Sequence, residues 1–206
     1  MSRLGPVLIA LLAVASCAAA EPTEGQIRES YYRSYSYEHA LNYSDAIKAL
    51  LVLRDAYPKG YTVNLRLGWL YYASGSHANA LKHYEAAMKA LPAAVEPKLG
   101  YLLPLLATSR YQEAEAAARQ ILQVDPANFL GNLRLVQTLR YQEKFEAAAQ
   151  IASGMLVLYP TDVGFLVELA LCKVGLEDAA TAKSLFFDVL ILDPENVVAK
   201  QQLGKL

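Results

Sequence analysis

The chain has 206 residues, with 19 basic against 20 acidic side chains and a hydrophobic fraction of 54%. That length supports one ordinary domain with a sizeable core. Balanced charge, with no basic block and no acidic run, speaks against a nucleic-acid partner and against a disordered charged tail.

The first element is a leader. Met1 to Arg3 gives a short positive start, Val7 to Ala15 is an uncharged apolar run, and small residues follow from Ser16 to Ala20. That order reads as a secretory signal peptide over residues 1–20. The apolar run is shorter than the ~20 residues that span a bilayer. Two processing readings stand side by side. Ala18–Ala20 before Glu21 fits ordinary cleavage, whereas Val14-Ala15-Ser16-Cys17 resembles a bacterial lipobox and makes Cys17 the candidate for lipid attachment. Either way the mature chain is expected to be exported, and periplasmic or outer-membrane-anchored if bacterial. After ordinary cleavage Cys172 is the one thiol left, so no internal disulfide is expected, and Cys172 reads as a small buried hydrophobe.

Beyond the leader the chain repeats itself. Pro58, Pro92, Pro126, Pro160 and Pro194 recur at one fixed interval, and Ala46, Ala80, Ala114, Ala148 and Ala182 each precede their proline by twelve. At this spacing the chain resembles the tetratricopeptide repeat, and that resemblance implies five helical hairpins, over 27–60, 61–94, 95–128, 129–162 and 163–196. The first helix of each should cover Ile27–Ala40, Tyr61–Ser74, Val95–Thr108, Phe129–Gln142 and Val163–Gly175. The second should cover Ser44–Tyr57, His77–Leu91, Tyr111–Asp125, Phe145–Tyr159 and Asp178–Asp193. Proline ends each second helix because it has no N–H to donate and clashes with the preceding turn. The segment Glu195–Leu206 reads as a short terminal helix, with 197–206 covering the open apolar face of the last hairpin. Two places depart from the beat. Pro104 falls inside the third first-helix, its ring pressing toward the Gly100 carbonyl, and predicts a kink. Val163–Val174 is apolar almost all round apart from Glu168 and Lys173, so either the terminal helix or a partner should cover it.

The segment Tyr61–Ala94 carries Leu67-Gly68, Tyr71, Gly75, Ala80, Tyr84, Ala87 and Pro92. These residues resemble the tetratricopeptide-repeat pattern at matching offsets, and the resemblance extends over 27–196. Asn64 stands where the pattern usually has Trp. Ser34, Leu102, Val136 and Ala170 replace the first-helix glycine in the other copies. The resemblance implies an all-α fold, a right-handed α-solenoid of five helix-turn-helix repeats plus the short C-terminal capping helix. It also implies a non-catalytic protein- or peptide-binding scaffold whose first helices line a concave groove.

Mapped onto this chain, that groove takes Tyr31, Tyr35, Leu65, Trp69, Tyr72, Leu99, Leu103, Leu106, Leu133, Gln137, Arg140 and Tyr141, with Val167 and Leu171 at its far end. Ten of the fourteen tyrosines precede residue 95. They read either as a recognition surface or as an exposed N-terminal edge with Tyr37 in the core. Chaperone-binding relatives carry a Lys, Asn and Arg clamp for a C-terminal carboxylate; here aromatic and aliphatic residues stand in those places, so an apolar or amphipathic segment is the expected partner. No catalytic residue, metal site or cofactor is expected. His39, His77 and His83 lack ligand spacing, no HExxH, CxxC, GxSxG or phosphate loop is present, and Glu113, Glu115, Glu143 and Glu146 read as outer-face residues. Two further roles remain open, self-assembly into a homo-oligomer and service as an accessory subunit of an envelope enzyme. Membrane contact is expected only through a lipid anchor.

Overall fold

The computed structural model describes residues 21–206, so the expected leader and Cys17 lie outside the described residues. Those residues form eleven α-helices and no strand. The helices are α1 (Glu24–His39), α2 (Tyr43–Ala56), α3 (Tyr61–Ala73), α4 (His77–Ala90), α5 (Glu96–Ala107), α6 (Tyr111–Val124), α7 (Phe129–Tyr141), α8 (Phe145–Leu158), α9 (Val163–Gly175), α10 (Ala179–Leu192) and α11 (Val197–Leu203). Each packs on the next in chain order, and odd helices also touch across repeats, α3 with α5, α5 with α7 and α7 with α9. The result is a solenoid of five hairpins closed by a short terminal helix.

The serial alanines explain the close approach inside each hairpin. Ala46, Ala80, Ala114, Ala148 and Ala182 are all fully buried, where a larger side chain would hold two helices apart. Further along the same helices, paired positions trade volume. The pairs are Leu50 with Leu53, Tyr84 with Ala87, Ala118 with Ile121, Ala152 with Met155, and Phe186 with Val189, all buried. Close packing needs this exchange, because an interior tolerates neither a void nor an extra methylene cheaply.

The turn between the two helices of each hairpin has one geometry. Leu41, Gly75, Ser109, Glu143 and Glu177, each at the same point of its repeat, all take positive φ. In each, the following N–H reaches back to a carbonyl of the last helical turn, as in Asn42 N to Tyr37 O at 2.9 Å and Asp178 N to Lys173 O at 2.9 Å. This is the Schellman cap, which satisfies orphan helix carbonyls. Only the second copy uses glycine, so the other four turns hold a side chain in the left-handed region. Between hairpins, Asn64 and Asn132 tie down the proline turn. Asn64 Nδ2 donates to Pro58 O and Gly60 O at 3.0 and 2.8 Å, and Asn132 Nδ2 to Pro126 O and Asn128 O at 2.9 Å each. Asparagine in place of tryptophan is thus a hydrogen-bonding solution to the same corner.

The structure fills in several of these expectations and overturns one, the outer-face reading of Glu115. Helix α5 continues across Pro104 as one helix from Glu96 to Ala107. Past the proline, Thr108 closes the end, its N–H and hydroxyl both donating to Pro104 O at 3.1 and 2.7 Å. Glu115 is not an outer-face residue. Its carboxylate accepts from Lys144 Nζ at 2.8 Å, Gln142 Nε2 at 2.9 Å and Arg119 Nη2 at 2.8 Å. It thereby ties α6 to the turn before α8. The apolar α9 is covered from within the chain: Leu166 and Ala170 pack with Phe186, Val189 and Ala199 of α10 and α11. Cys172 is fully buried, and burial pushes its thiol up to about 11.

Candidate groove at the N-terminal repeats

A cavity of about 520 Å³ opens between α1, α3 and α5. Its wall is built from Tyr31 and Tyr35 of α1, Leu65, Arg66 and Trp69 of α3, and Leu103 of α5, with Thr62, Glu96 and Gly100 completing the rim. The floor is Tyr84, which reaches up from α4. It can do so because Gly68 and Gly100 lie on either side of its ring. A Cβ at Gly68 would meet the ring at 2.8 Å, and one at Gly100 would come closer still, so both positions exclude a side chain.

Polar contacts hold the wall together. Tyr31 donates its hydroxyl to Thr62 Oγ1 at 3.1 Å. Glu38 of α1 accepts from both Trp69 Nε1 and Arg66 Nη1, the latter at 2.5 Å. Tyr61 donates to Glu96 Oε2 at 2.6 Å. Burial and this carboxylate together raise the Tyr61 phenol to about 12. Burial also pushes Tyr84 upward, so its hydroxyl keeps its proton throughout the physiological range. The cavity is therefore mainly aromatic and aliphatic, with one guanidinium and one carboxylate on its lining.

Of the twelve residues first assigned to the groove, the cavity gathers Tyr31, Tyr35, Leu65, Trp69 and Leu103. Tyr72 lies beside it, between Trp69 and His77, with ring centroids 5.8 Å from each. Leu99, Leu106 and Leu133 are half-buried against the central core. Gln137 accepts from Arg134 Nη1 at 2.8 Å. Arg140 pairs with buried Glu168 at 2.6 Å and covers the ring of Tyr141, which stacks on Tyr111 at 5.3 Å. Val167 and Leu171 pack into the C-terminal core. Tyr37 is half-buried in the N-terminal core while Tyr32 is exposed.

Sequence reasoning missed Thr62, Arg66, Tyr84, Glu96 and Gly100 as cavity residues. One signal was present for Arg66. The spacing from Glu38 to Arg66 equals the spacing from Arg140 to Glu168, so two opposite charges recur in the same two places of the repeat. Of the histidines, His83 has a packing role, and His77 lies against the Tyr72 ring. His83 stacks on Tyr71 at 5.2 Å and its Nδ1 lies 2.8 Å from Asn64 Oδ1, and burial lowers its proton affinity.

Fold and groove together define an α-helical repeat protein of the kind that presents a concave surface. The tetratricopeptide-repeat family model matches residues 33–95 and 105–163, more than half of the chain, and the chain belongs to that family. Members of the family bind protein or peptide partners. Among solved structures, MamA from Desulfovibrio magneticus RS-1 superposes with a TM-score of 0.72 at 16% identity, covering 84% of this chain and 97% of that one. A second MamA, from AMB-1, gives 0.62 at 24% identity, covering 85% and 97%. YrrB, a TPR protein described as having an unusual peptide-binding site, gives 0.67 at 11% identity, covering 86% and 91%. These likenesses concern the fold. No curated protein matches the chain.

Proposed function

We propose that the chain is a non-catalytic scaffold or adaptor of the bacterial cell envelope that holds a segment of a partner protein against α1, α3 and α5. The observation that carries this reading is the aromatic and aliphatic cavity of about 520 Å³ on the first-helix wall. Aromatic side chains in a sheltered pocket are the usual anchors of a protein interface. YrrB, of the same fold, has a peptide-binding site. The envelope setting rests on the apolar leader at 1–20, with Cys17 as the lipid attachment point if the lipobox reading holds. Assembly of envelope, pilus or secretion machinery is the setting in which such an adaptor would serve.

Leu65 and Leu103 line the cavity and are half-buried. Replacing either by Lys should leave helical circular dichroism intact and abolish binding of peptides selected on the wild-type chain. Undiminished binding in both variants would remove the cavity from the interface. Mass spectrometry of the mature N-terminus decides the Cys17 question.

Self-assembly is the second reading, favoured by a separate surface. Val124, Val157, Leu158, Ile191 and Leu192 are exposed at the C-terminal ends of α6, α8 and α10, an apolar ridge across three hairpins. Sedimentation over a wide concentration range tests it, and a monomer throughout counts against it.

A further inference from the structure

Arg66 enters the cavity wall from α3 and is only 9% exposed. Its Nη1 is taken by Glu38. Its Nε and Nη2 are screened from solvent and meet no acceptor among the described residues. These two nitrogens form one edge of the guanidinium plane, a fork of parallel N–H donors. Buried donors without an acceptor are uncommon in folded proteins and call for a partner. The Tyr35 ring covers the guanidinium face, 3.7 Å from its carbon, yet Tyr35 is itself 49% exposed. An exposed side chain changes rotamer within nanoseconds, so the ring lying on the guanidinium face can swing aside and leave the guanidinium room to turn its free edge toward the cavity.

We propose that the free edge of Arg66 receives a main-chain carbonyl of an extended, uncharged, apolar segment of the partner, with Tyr35 as the movable cover. This rests on the reading of the cavity as the partner site and names what the cavity accepts. Charge decides against an acidic group. The Arg66 charge is already neutralised by Glu38, and Glu96 across the cavity carries a further negative charge with, among the described residues, only the Tyr61 hydroxyl to share it. A carboxylate on the fork would face this excess, whereas a neutral carbonyl oxygen would not. Backbone geometry decides against a helical segment. Interior helix carbonyls are already bonded within their own helix, so only an extended or turn-like chain offers a free acceptor. The flanking Leu65, Leu103, Trp69 and Tyr31 supply the contact area for its apolar side chains.

The test uses linear dodecapeptides selected from a random display library on the full chain. The tightest is resynthesised as the C-terminal amide, as the free acid, and as a series with single peptide bonds replaced by an alkene, which removes one carbonyl without adding charge. Selected sequences are expected to be uncharged and apolar, with amide and acid binding alike and no helical signal on binding. Arg66→Lys keeps a cation for Glu38 but has no fork. It should weaken the peptide at least tenfold, the loss expected for a hydrogen bond to a charged donor, with the melting temperature nearly unchanged. One alkene replacement should weaken binding to the wild-type chain and have no further effect in Arg66→Lys. Tyr35→Ala should speed association. Unchanged affinity in Arg66→Lys, preference for the free acid or for acidic sequences, or a helical bound peptide each overturns the proposal. Binding lost in Leu103→Lys yet retained in Arg66→Lys overturns this inference alone, whereas indifference to Leu65→Lys and Leu103→Lys, or no selected peptide at all, overturns the cavity reading with it.

Discussion

A single ring organises the N-terminal half of the molecule. Tyr84 is 2% exposed and passes between two glycines, so its volume is admitted only because Gly68 and Gly100 have none. Gly68 was legible in the sequence as part of the Leu-Gly pair of the repeat. Gly100 was not, because nothing in its own repeat marks it and its reason lies in the preceding hairpin. At the equivalent point of the third and fourth hairpins the large residue is replaced by Ala118 and Ala152, and the facing helix needs no glycine. Gly100→Ala is therefore expected to destabilise the chain by about 1–3 kcal/mol, the usual range for overpacking. Thermal denaturation measures it. The second change Tyr84→Leu, which withdraws the ring from the new methyl, should recover most of the loss. An equal penalty with and without Tyr84→Leu would show that helix distortion, not the ring contact, is responsible.

Neighbouring hairpins are held in register by charged pairs that the repeat period places in equivalent positions. Glu38 with Arg66 joins the first and second hairpins, and Arg140 with Glu168 joins the fourth and fifth, the polarity being reversed. Mis-stacked hairpins would set Glu38 against Glu168, or Arg140 against Arg66. Such pairs add little net stability over apolar packing, but removing one partner leaves the other buried and unpaired. Glu168→Ala should thus cost about 3 kcal/mol. The exchange Arg140→Glu with Glu168→Arg should recover much of the stability that Arg140→Glu loses alone, as read in denaturant melts. The helices themselves were legible nearly to their ends because the repeat period, the serial alanines and the prolines each mark boundaries independently. The cross-hairpin pairs left only the equal spacings of Glu38 to Arg66 and Arg140 to Glu168 as a trace, since a lone charge within an apolar helix looks the same whether it faces solvent or a partner in the next hairpin. Glu115 is the same case. Its carboxylate is held down to about 2, chiefly by the Lys144 hydrogen bond, with Arg119 and Gln142 adding to it. A depressed folded value means the stabilisation is complete above the ordinary glutamate range near pH 4.5 and is lost as pH falls toward 2. Glu115→Gln should lower the melting temperature at neutral pH and flatten its dependence across the acid range between those two values. A wild-type slope surviving in Glu115→Gln would assign that acid sensitivity to other carboxylates.

Across the whole molecule, a solenoid buries each hairpin only by placing another beside it, and the two ends solve the exposed-face problem differently. At the N-terminal end, α1 carries little apolar surface; Ser34 is its sole buried residue, and polar tethers from Tyr31 and Glu38 reach α3 across the cavity. That polar spacing leaves the cavity open, which is why its position could not be read from a hydrophobic pattern. At the C-terminal end the pattern was sufficient. The nearly continuous apolar run of α9 demanded a cover, and α11 supplies it. Ala199 is fully buried and Leu203 and Leu206 pack against the cluster around Phe186. Asn196 caps α11 by accepting from Ala199 N at 3.0 Å. So short a helix has no stability of its own in water, so α11 is held by this contact and the contact is in turn what keeps the last hairpin dry. A chain ending at Asn196 should therefore melt at a lower temperature and associate in proportion to concentration, because the uncovered Leu166, Ala170 and Phe186 present one apolar face. Leu203→Ser should reproduce a fraction of both effects without shortening the chain. If the shortened chain stays monomeric with an unchanged melt, the fifth hairpin does not depend on its terminal helix, and a repeat array can end on a bare apolar layer.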